Sequence, residues 1–228
     1  MKRTAILYTL LAILSAAATA AEPAAEKKDP TDQAWKKMFN GKDLEGWTVT
    51  QFGGEGEVEV KEGVIVMGMG EPMTGITWKG SALPKTNYEL VVEARRTDGH
   101  DFFATTTFPI GEEHASFVTG GWAGTVVGIS SVDYYDASEN PTTTFKDFKD
   151  NQWYTIRIRV SDARLECWID DEQMVNLERK GHKFSTRIEV ELSKPMGISS
   201  YMTASEIRAI KLRNLRPAEI EAAAQSKE

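Results

Sequence analysis

The sequence predicts an all-β protein, a two-sheet antiparallel sandwich, and three observations carry that expectation. Apolar residues between Trp35 and Leu215 recur mainly at every second position. Short turn signals separate those runs, and no stretch before Pro217 sustains a 3.6-residue apolar period for three turns. With 228 residues, 41% of them apolar and 27% charged, the chain has globular proportions and can close one sizeable core undivided.

Taken in order, Tyr88, Leu90, Val92 and Ala94 alternate with Glu89, Val91 and Glu93, which places one row in a core and the other outside it. Tyr154, Ile156, Ile158 and Val160 alternate in the same way with Trp153, Thr155, Arg157 and Arg159. Arg164–Val175 reads as a hairpin turning at Asp170-Asp171, with Leu165, Cys167 and Ile169 on its apolar row. Ile188, Val190 and Leu192 alternate with Glu189 and Glu191, and Ile210 and Leu212 with Lys211 and Arg213. Turns are expected at Glu62-Gly63, Thr97-Asp98-Gly99, Ser161-Asp162 and Lys194-Pro195, giving roughly ten to fourteen short strands.

The ends read differently. Lys2 and Arg3, an apolar run from Ala5 to Leu14 and the small residues Ala18-Thr19-Ala20 form the three-part pattern of a secretory signal peptide over residues 1–20. The apolar run is too short to span hydrocarbon, so no membrane span is expected after cleavage. Residues 21–34 read as a disordered leader, 35–216 as the folded domain, and 217–228 as an Ala/Glu-rich tail able to form a frayed helix. Export to the periplasm or the cell exterior is therefore expected.

A net charge of −7 and the lack of a basic stripe argue against a nucleic-acid partner. The single cysteine, Cys167, has no intramolecular partner and lies on an apolar row, where a small buried hydrophobe is expected. No CxxC or HExxH pattern occurs, and Gly68-Met69-Gly70 lacks the strand-to-helix setting of a dinucleotide loop.

Six segments, in order, resemble the DUF1080 family, also called the 3-keto-disaccharide hydrolase domain. Met38–Trp47 resembles its FNGKDLxGW opening, the most specific of the matches. Glu62–Val66, Asn87–Arg95, Asn151–Tyr154, Lys194–Ile198 and Ile207–Leu215 resemble its later strands. The resemblance implies a concanavalin-A-like jelly roll that contacts sugar in the concave groove of one sheet. It also implies cleavage of glycosides oxidised at C3: the ketone acidifies the C2 proton, a base removes it, the C1 group departs and water adds. Such a site needs a base, an electrophile or metal for the enolate oxygen, and an acid for the leaving group. The chain departs from the family where its Glu and Gln become Gly128 and Ser130, and where its Asp and His become Ser200 and Tyr201; Asp133 is retained.

Three histidines limit the remaining candidates. Thr97–Asp101 gathers Asp98, His100 and Asp101 after a strand, and with Asp133 these are the candidates for acid/base work. The alternative for this segment is a solvated turn, as it is for the hairpin tip Gly111–His114. His182 reads as a surface-loop residue. Trp122, beside several glycines, offers a flat face to a pyranose, with packing in the core as the alternative. Asp136, Glu139 and Asn140 are candidates for holding sugar hydroxyls, and with Asp133 for one Ca²⁺, although no EF-hand spacing is present. The metal and the oligomeric state are left open. Two functions follow: a hydrolase or lyase acting on 3-keto-glycosides, or a non-catalytic carbohydrate-binding jelly roll that has lost the acid/base residues. A purely structural interaction domain is the third.

Overall fold

The structure, a computed structural model, describes residues 34–226. The expected signal peptide and leader lie outside them, apart from Ala34. Fifteen strands run in the order β1 (Lys36–Lys37), β2 (Trp47–Val49), β3 (Val58–Lys61), β4 (Val64–Met67), β5 (Met73–Trp78), β6 (Tyr88–Gly99), β7 (Thr105–Ile110) and β8 (Glu113–Gly120), then β9 (Val126–Ser130), β10 (Thr144–Phe145), β11 (Tyr154–Val160), β12 (Arg164–Ile169), β13 (Glu172–Glu178), β14 (Gly197–Tyr201) and β15 (Thr203–Asn214). The excess over the expected number comes from two-residue strands such as β1 and β10, too short to show a periodicity.

Two antiparallel sheets result. One has the order β13-β12-β11-β6-β15-β4-β3, with β1 added beside β15; the other runs β10-β9-β8-β7-β14-β5-β2. Connections from sheet to sheet, as from β5 to β6 and from β14 to β15, give the jelly-roll winding. The core lies between the sheets. Leu90, Val92, Ile156, Ile158 and Cys167 enter from the first, and Ile76, Phe108, Phe117, Ile129 and Ile198 from the second, all 1% exposed or less. Each large side chain buried there contributes about 1.5–3 kcal/mol. The Tyr88 hydroxyl crosses from the first sheet and donates to the Pro109 carbonyl of the second at 2.6 Å.

The opening motif has a structural cause. Asn40 Oδ1 accepts the backbone N–H groups of Lys42 and Asp43, and Asp43 Oδ1 accepts that of Glu45, folding the segment into a tight turn. Gly46 follows at φ +80°, with the Trp78 ring 2.6 Å from where a Cβ would stand. Only glycine fits there, and the turn delivers Trp47 edge-on to Trp78, ring centroids 5.3 Å apart.

One expected strand is absent. Ile188–Ser193 is a 3₁₀ turn, despite its alternating pattern. Val190 is buried, whereas Ile188 and Leu192 face solvent, so the alternation does not mark a face packed on the core. The tail forms a helix, Pro217–Gln225, whose Glu219 caps the backbone N–H of Arg216 and pairs with Arg213. No helix among the described residues is long and apolar enough to cross a membrane.

Candidate functional site

The second sheet turns one face to the core, and its other face is almost devoid of bulk. Across one level Ser130 pairs with Ser116, Ser116 with Thr107, Thr107 with Gly197 and Gly197 with Thr77. At the next, Gly128 pairs with Val118, and Thr105 with Ser199, itself paired with Gly75. Small hydroxyl and glycine residues thus replace the alternating polar and long side chains of an ordinary solvated face.

Two blocks narrow this face. At β9, a Cβ on Gly128 would lie 2.9 Å from the Thr142 carbonyl oxygen, because the segment between β9 and β10 folds over it. At β14 and β5, the Ile188–Ser193 turn lies close: a Cβ on Gly197 would meet the Ser193 side chain at 2.7 Å, and Thr77 Oγ1 donates to the Leu192 carbonyl at 3.0 Å. Between the blocks remains a pit of about 250 Å³. Its lining includes Thr105, Ser116, Val118 and Ser130 from the strands, with Phe102 and Tyr201 alongside and Val190 from the turn.

The hydroxyls are not all satisfied. Thr107 shares a 2.8 Å bond with Ser116, and Ser130 Oγ accepts the Ala137 N–H at 3.1 Å. Thr105 Oγ1 and Ser199 Oγ have no hydrogen-bond partner, although the two residues are only 2% and 0% exposed. A buried polar group left unpaired costs about 1–3 kcal/mol, so such groups mark places where a ligand or an ordered water belongs.

The rim carries the aromatic and the charges. Gly121–Gly124 is a left-handed turn in which Trp122 and Ala123 have φ of 49° and 66°. Residues of this kind resist positive φ, and such strain persists only where surrounding contacts impose it. Here Asp101 does so: one carboxylate oxygen accepts the Ala123 N–H at 3.0 Å, and the Asp101 N–H donates to Thr203 Oγ1 at 3.0 Å. The turn presents Trp122 with 42% of its surface exposed, so it is not a core residue. The Arg187 guanidinium lies 5.7 Å from the indole centroid. It pairs with Asp136 and, through two nitrogens at 2.8 and 3.1 Å, with Glu189. This fork holds the Glu189 carboxyl below its ordinary range.

The sequence-derived candidates therefore separate. Asp101 and Trp122 line the pit, and Asp136 reaches it through Arg187. Asp98 and His100 do not line it; both are exposed, and Asp98 accepts the Gly99 N–H at 2.8 Å. Asp133 turns away to His182 Nδ1 at 2.7 Å and the Lys183 N–H at 2.9 Å, contacts that lower its carboxyl pKa. His182 is accordingly a half-buried partner of Asp133 rather than a free surface residue. Asn140 is spent on the backbone, donating to the carbonyls of Ile129 and Tyr135 and accepting from Thr142, while Glu139 is exposed. Of the four oxygen groups considered for Ca²⁺, Asp133, Asp136 and Asn140 thus serve separate contacts, and the described residues contain no group of three or more His, Cys, Asp or Glu able to hold a metal.

Arg187, Glu189, Val190 and Ser116 were not foreseen. The hydroxyl runs Thr105-Thr106-Thr107, Ser130-Ser131 and Ser199-Ser200 were the available signal, since a solvated strand face rarely dispenses with long side chains. Chemically the pit offers hydroxyls that both donate and accept, a guanidinium fork and a flat indole. Both oxygens of Asp101 are engaged by backbone N–H groups, and no histidine lines it.

Residues 34–213 match the family model described as the 3-keto-alpha-glucoside-1,2-lyase-like domain. The chain belongs to this family. No curated protein matches it. Among solved structures, the carbohydrate recognition domain of Emp46p is 14% identical with a TM-score of 0.53, covering 80% of this chain and 99% of that one. SCLam, a non-specific endo-beta-1,3(4)-glucanase, is 13% identical at 0.52, with 86% and 95% covered. Domain 4 of AbnA, an extracellular arabinanase from Geobacillus stearothermophilus in complex with arabinotriose, is 15% identical at 0.51, with 85% and 98% covered. These likenesses establish the concanavalin-like jelly-roll fold that glycosyl hydrolases and sugar-recognition domains share.

Proposed function

We propose that this family member binds a short saccharide in the pit without turning it over. One observation carries the reading: unpaired, buried Thr105 Oγ1 lies on a hydroxyl floor beneath an exposed indole. A pyranose has the matching chemistry, with C–H faces that stack on Trp122 and hydroxyls that both donate and accept. The volume of about 250 Å³ falls just below the roughly 300–1,000 Å³ typical of ligand pockets, which suits one or two sugar rings. Proton abstraction finds less support. The Asp101 carboxylate is occupied by the turn it shapes, and the Arg187 fork lowers the pKa of Glu189, which makes it a weaker base.

A second reading is favoured by the family match over residues 34–213. In it, a 3-keto-glycoside places its ketone oxygen toward Arg187, and Asp101 takes the C2 proton. The C–H electrons pass to the enolate oxygen, the C1–O bond breaks with protonation of the leaving group, and water adds across the resulting double bond. The sequence-derived Asp98, His100 and Asp133 lie outside the pit and have no role in either version. Calorimetric titration with a saccharide panel, run beside a turnover assay on a 3-keto-glucoside, separates the two. Binding without turnover, weakened by Trp122→Ala, supports the first; turnover lost in Asp101→Asn supports the second.

Export through residues 1–20 to the periplasm or the cell exterior belongs to the same proposal. It is tested by the N-terminal sequence of the mature protein, which would begin near Glu22.

A further inference from the structure

Resting on the saccharide reading, the geometry points to a narrower ligand: we infer that the pit receives the end of an oligosaccharide chain, while an exposed aromatic rim holds the sugars that follow. A polymer threaded through a cleft needs two open ends. Here the sheet face is closed at β9 by the Thr142 carbonyl over Gly128, and at β14 and β5 by Ser193 over Gly197 and the Leu192 carbonyl on Thr77. Phe52 covers the same side further along, its ring 3.1 Å from where a Cβ on Gly75 would stand. A sugar on the Thr105 and Ser116 floor therefore has neighbours on both flanks, and a continuing chain leaves past the rim.

The rim is built for that exit. Trp122 is exposed on one side of Arg187. Tyr135, 59% exposed, adjoins Asp136, the carboxylate that Arg187 pairs with. Ile188, 86% exposed, is the next residue after Arg187. Trp122 is thus exposed beside Arg187, while Tyr135 and Ile188 are exposed at the positions next in sequence to Asp136 and Arg187, and Val190, from the same turn as Ile188, is buried. Exposed aromatics of this kind stack on successive sugar rings with little conformational cost, since each has only two side-chain torsions. The unpaired Thr105 hydroxyl at the floor supplies the polar contact that distinguishes a seated terminal ring from one merely stacked outside.

Linear and cyclic oligosaccharides of the same linkage test this. Gluco-oligosaccharides of two to six residues in α-1,4 and β-1,2 linkage are titrated beside cyclodextrins and cyclic β-1,2-glucans, which have no ends. We expect linear chains to bind at least tenfold more tightly than their cyclic counterparts, with affinity rising up to about three residues and then levelling. Tyr135→Ala lowers affinity for the longer chains several-fold and leaves the disaccharide unchanged. Equal binding of cyclic and linear forms overturns end-on entry while leaving the saccharide reading intact. So does an affinity that climbs steadily with length and ignores Tyr135→Ala. Failure of every oligosaccharide to bind overturns the saccharide reading itself, and this inference with it.

Discussion

The two solvent-side faces of the sandwich use the same residue types to opposite ends. On the outer face of the first sheet, Trp168 lies 3.9 and 5.2 Å from the guanidinium groups of Arg157 and Arg159, and Trp153 lies 4.7 and 4.6 Å from those of Arg95 and Arg208. Glu89, 2% exposed, sits among Arg157, Arg159 and Arg213 at 3.6, 3.2 and 2.5 Å. Arg95 pairs with Glu206, and Arg208 with Glu93. On the pit face of the second sheet there is one exposed indole, one ion cluster, and hydroxyls with nothing to bond. Where aromatic and charged groups answer one another, a face serves stability. Both faces keep buried polar atoms without a hydrogen bond, Arg159 Nε and Glu166 Oε2 on the first and Thr105 Oγ1 and Ser199 Oγ on the second, but only Thr105 among these lines an open pit, where a ligand can reach it.

The largest expected effect breaks the first face. Glu89→Gln leaves three guanidinium groups around a neutral amide, and loss of one partner of a buried ion cluster costs about 3–5 kcal/mol. Denaturant unfolding reads this, and saccharide affinity should not change. A much smaller loss would mean that the ionic face contributes little to the fold. Next comes Gly128→Glu, which restores the acid that the family resemblance places on β9. The side chain would have to displace the Thr142 carbonyl, so we expect destabilisation of about 1–3 kcal/mol and no gain of 3-keto-glucoside turnover. Recovery of turnover would show that the blocked edge opens readily.

How much of this was legible follows from where each signal arises. Burial writes itself into alternation, so β6, β11 and the β12–β13 hairpin were readable, with Cys167 correctly placed in the core. The 3₁₀ turn at Ile188–Ser193 imitated a strand because alternation alone does not say whether the apolar row meets a core. The pit was harder. Trp122 stood out by its glycine neighbours, but Arg187 reaches it only because residues 183–185 run antiparallel along 131–133, and no local pattern announces such a pairing. The acidic loop misled for the same reason: Asp133, Asp136 and Asn140 are close in sequence yet turn to His182, Arg187 and the backbone.

Two smaller effects sharpen the contrast. Hydrogen bonds from Arg213 and from the Arg216 backbone and side chain hold the Glu219 carboxyl far below its ordinary value of 4.5. A carboxyl depressed by folding stabilises the native state above its unfolded pKa and loses that contribution as pH falls through the folded one. Glu219→Gln should therefore cost about 1.5 kcal/mol at neutral pH, and the difference from wild type should shrink as pH drops below 4.5. Equal unfolding midpoints at pH 7 would remove the helix from the outer-face network. His100→Ala, at an exposed position outside the pit, should shift stability by less than about 0.5 kcal/mol and leave binding unaltered.

The most direct measurement is a crystal structure of the protein soaked with an oligosaccharide selected by titration, together with the affinity of Trp122→Ala for it. We expect a sugar ring over Thr105 and Ser116 with its apolar face on Trp122, and an affinity about tenfold weaker in the variant, equivalent to ~1.4 kcal/mol. A sugar found instead against Trp153 and Trp168, with the pit empty and the variant unimpaired, would contradict the assignment of the two faces.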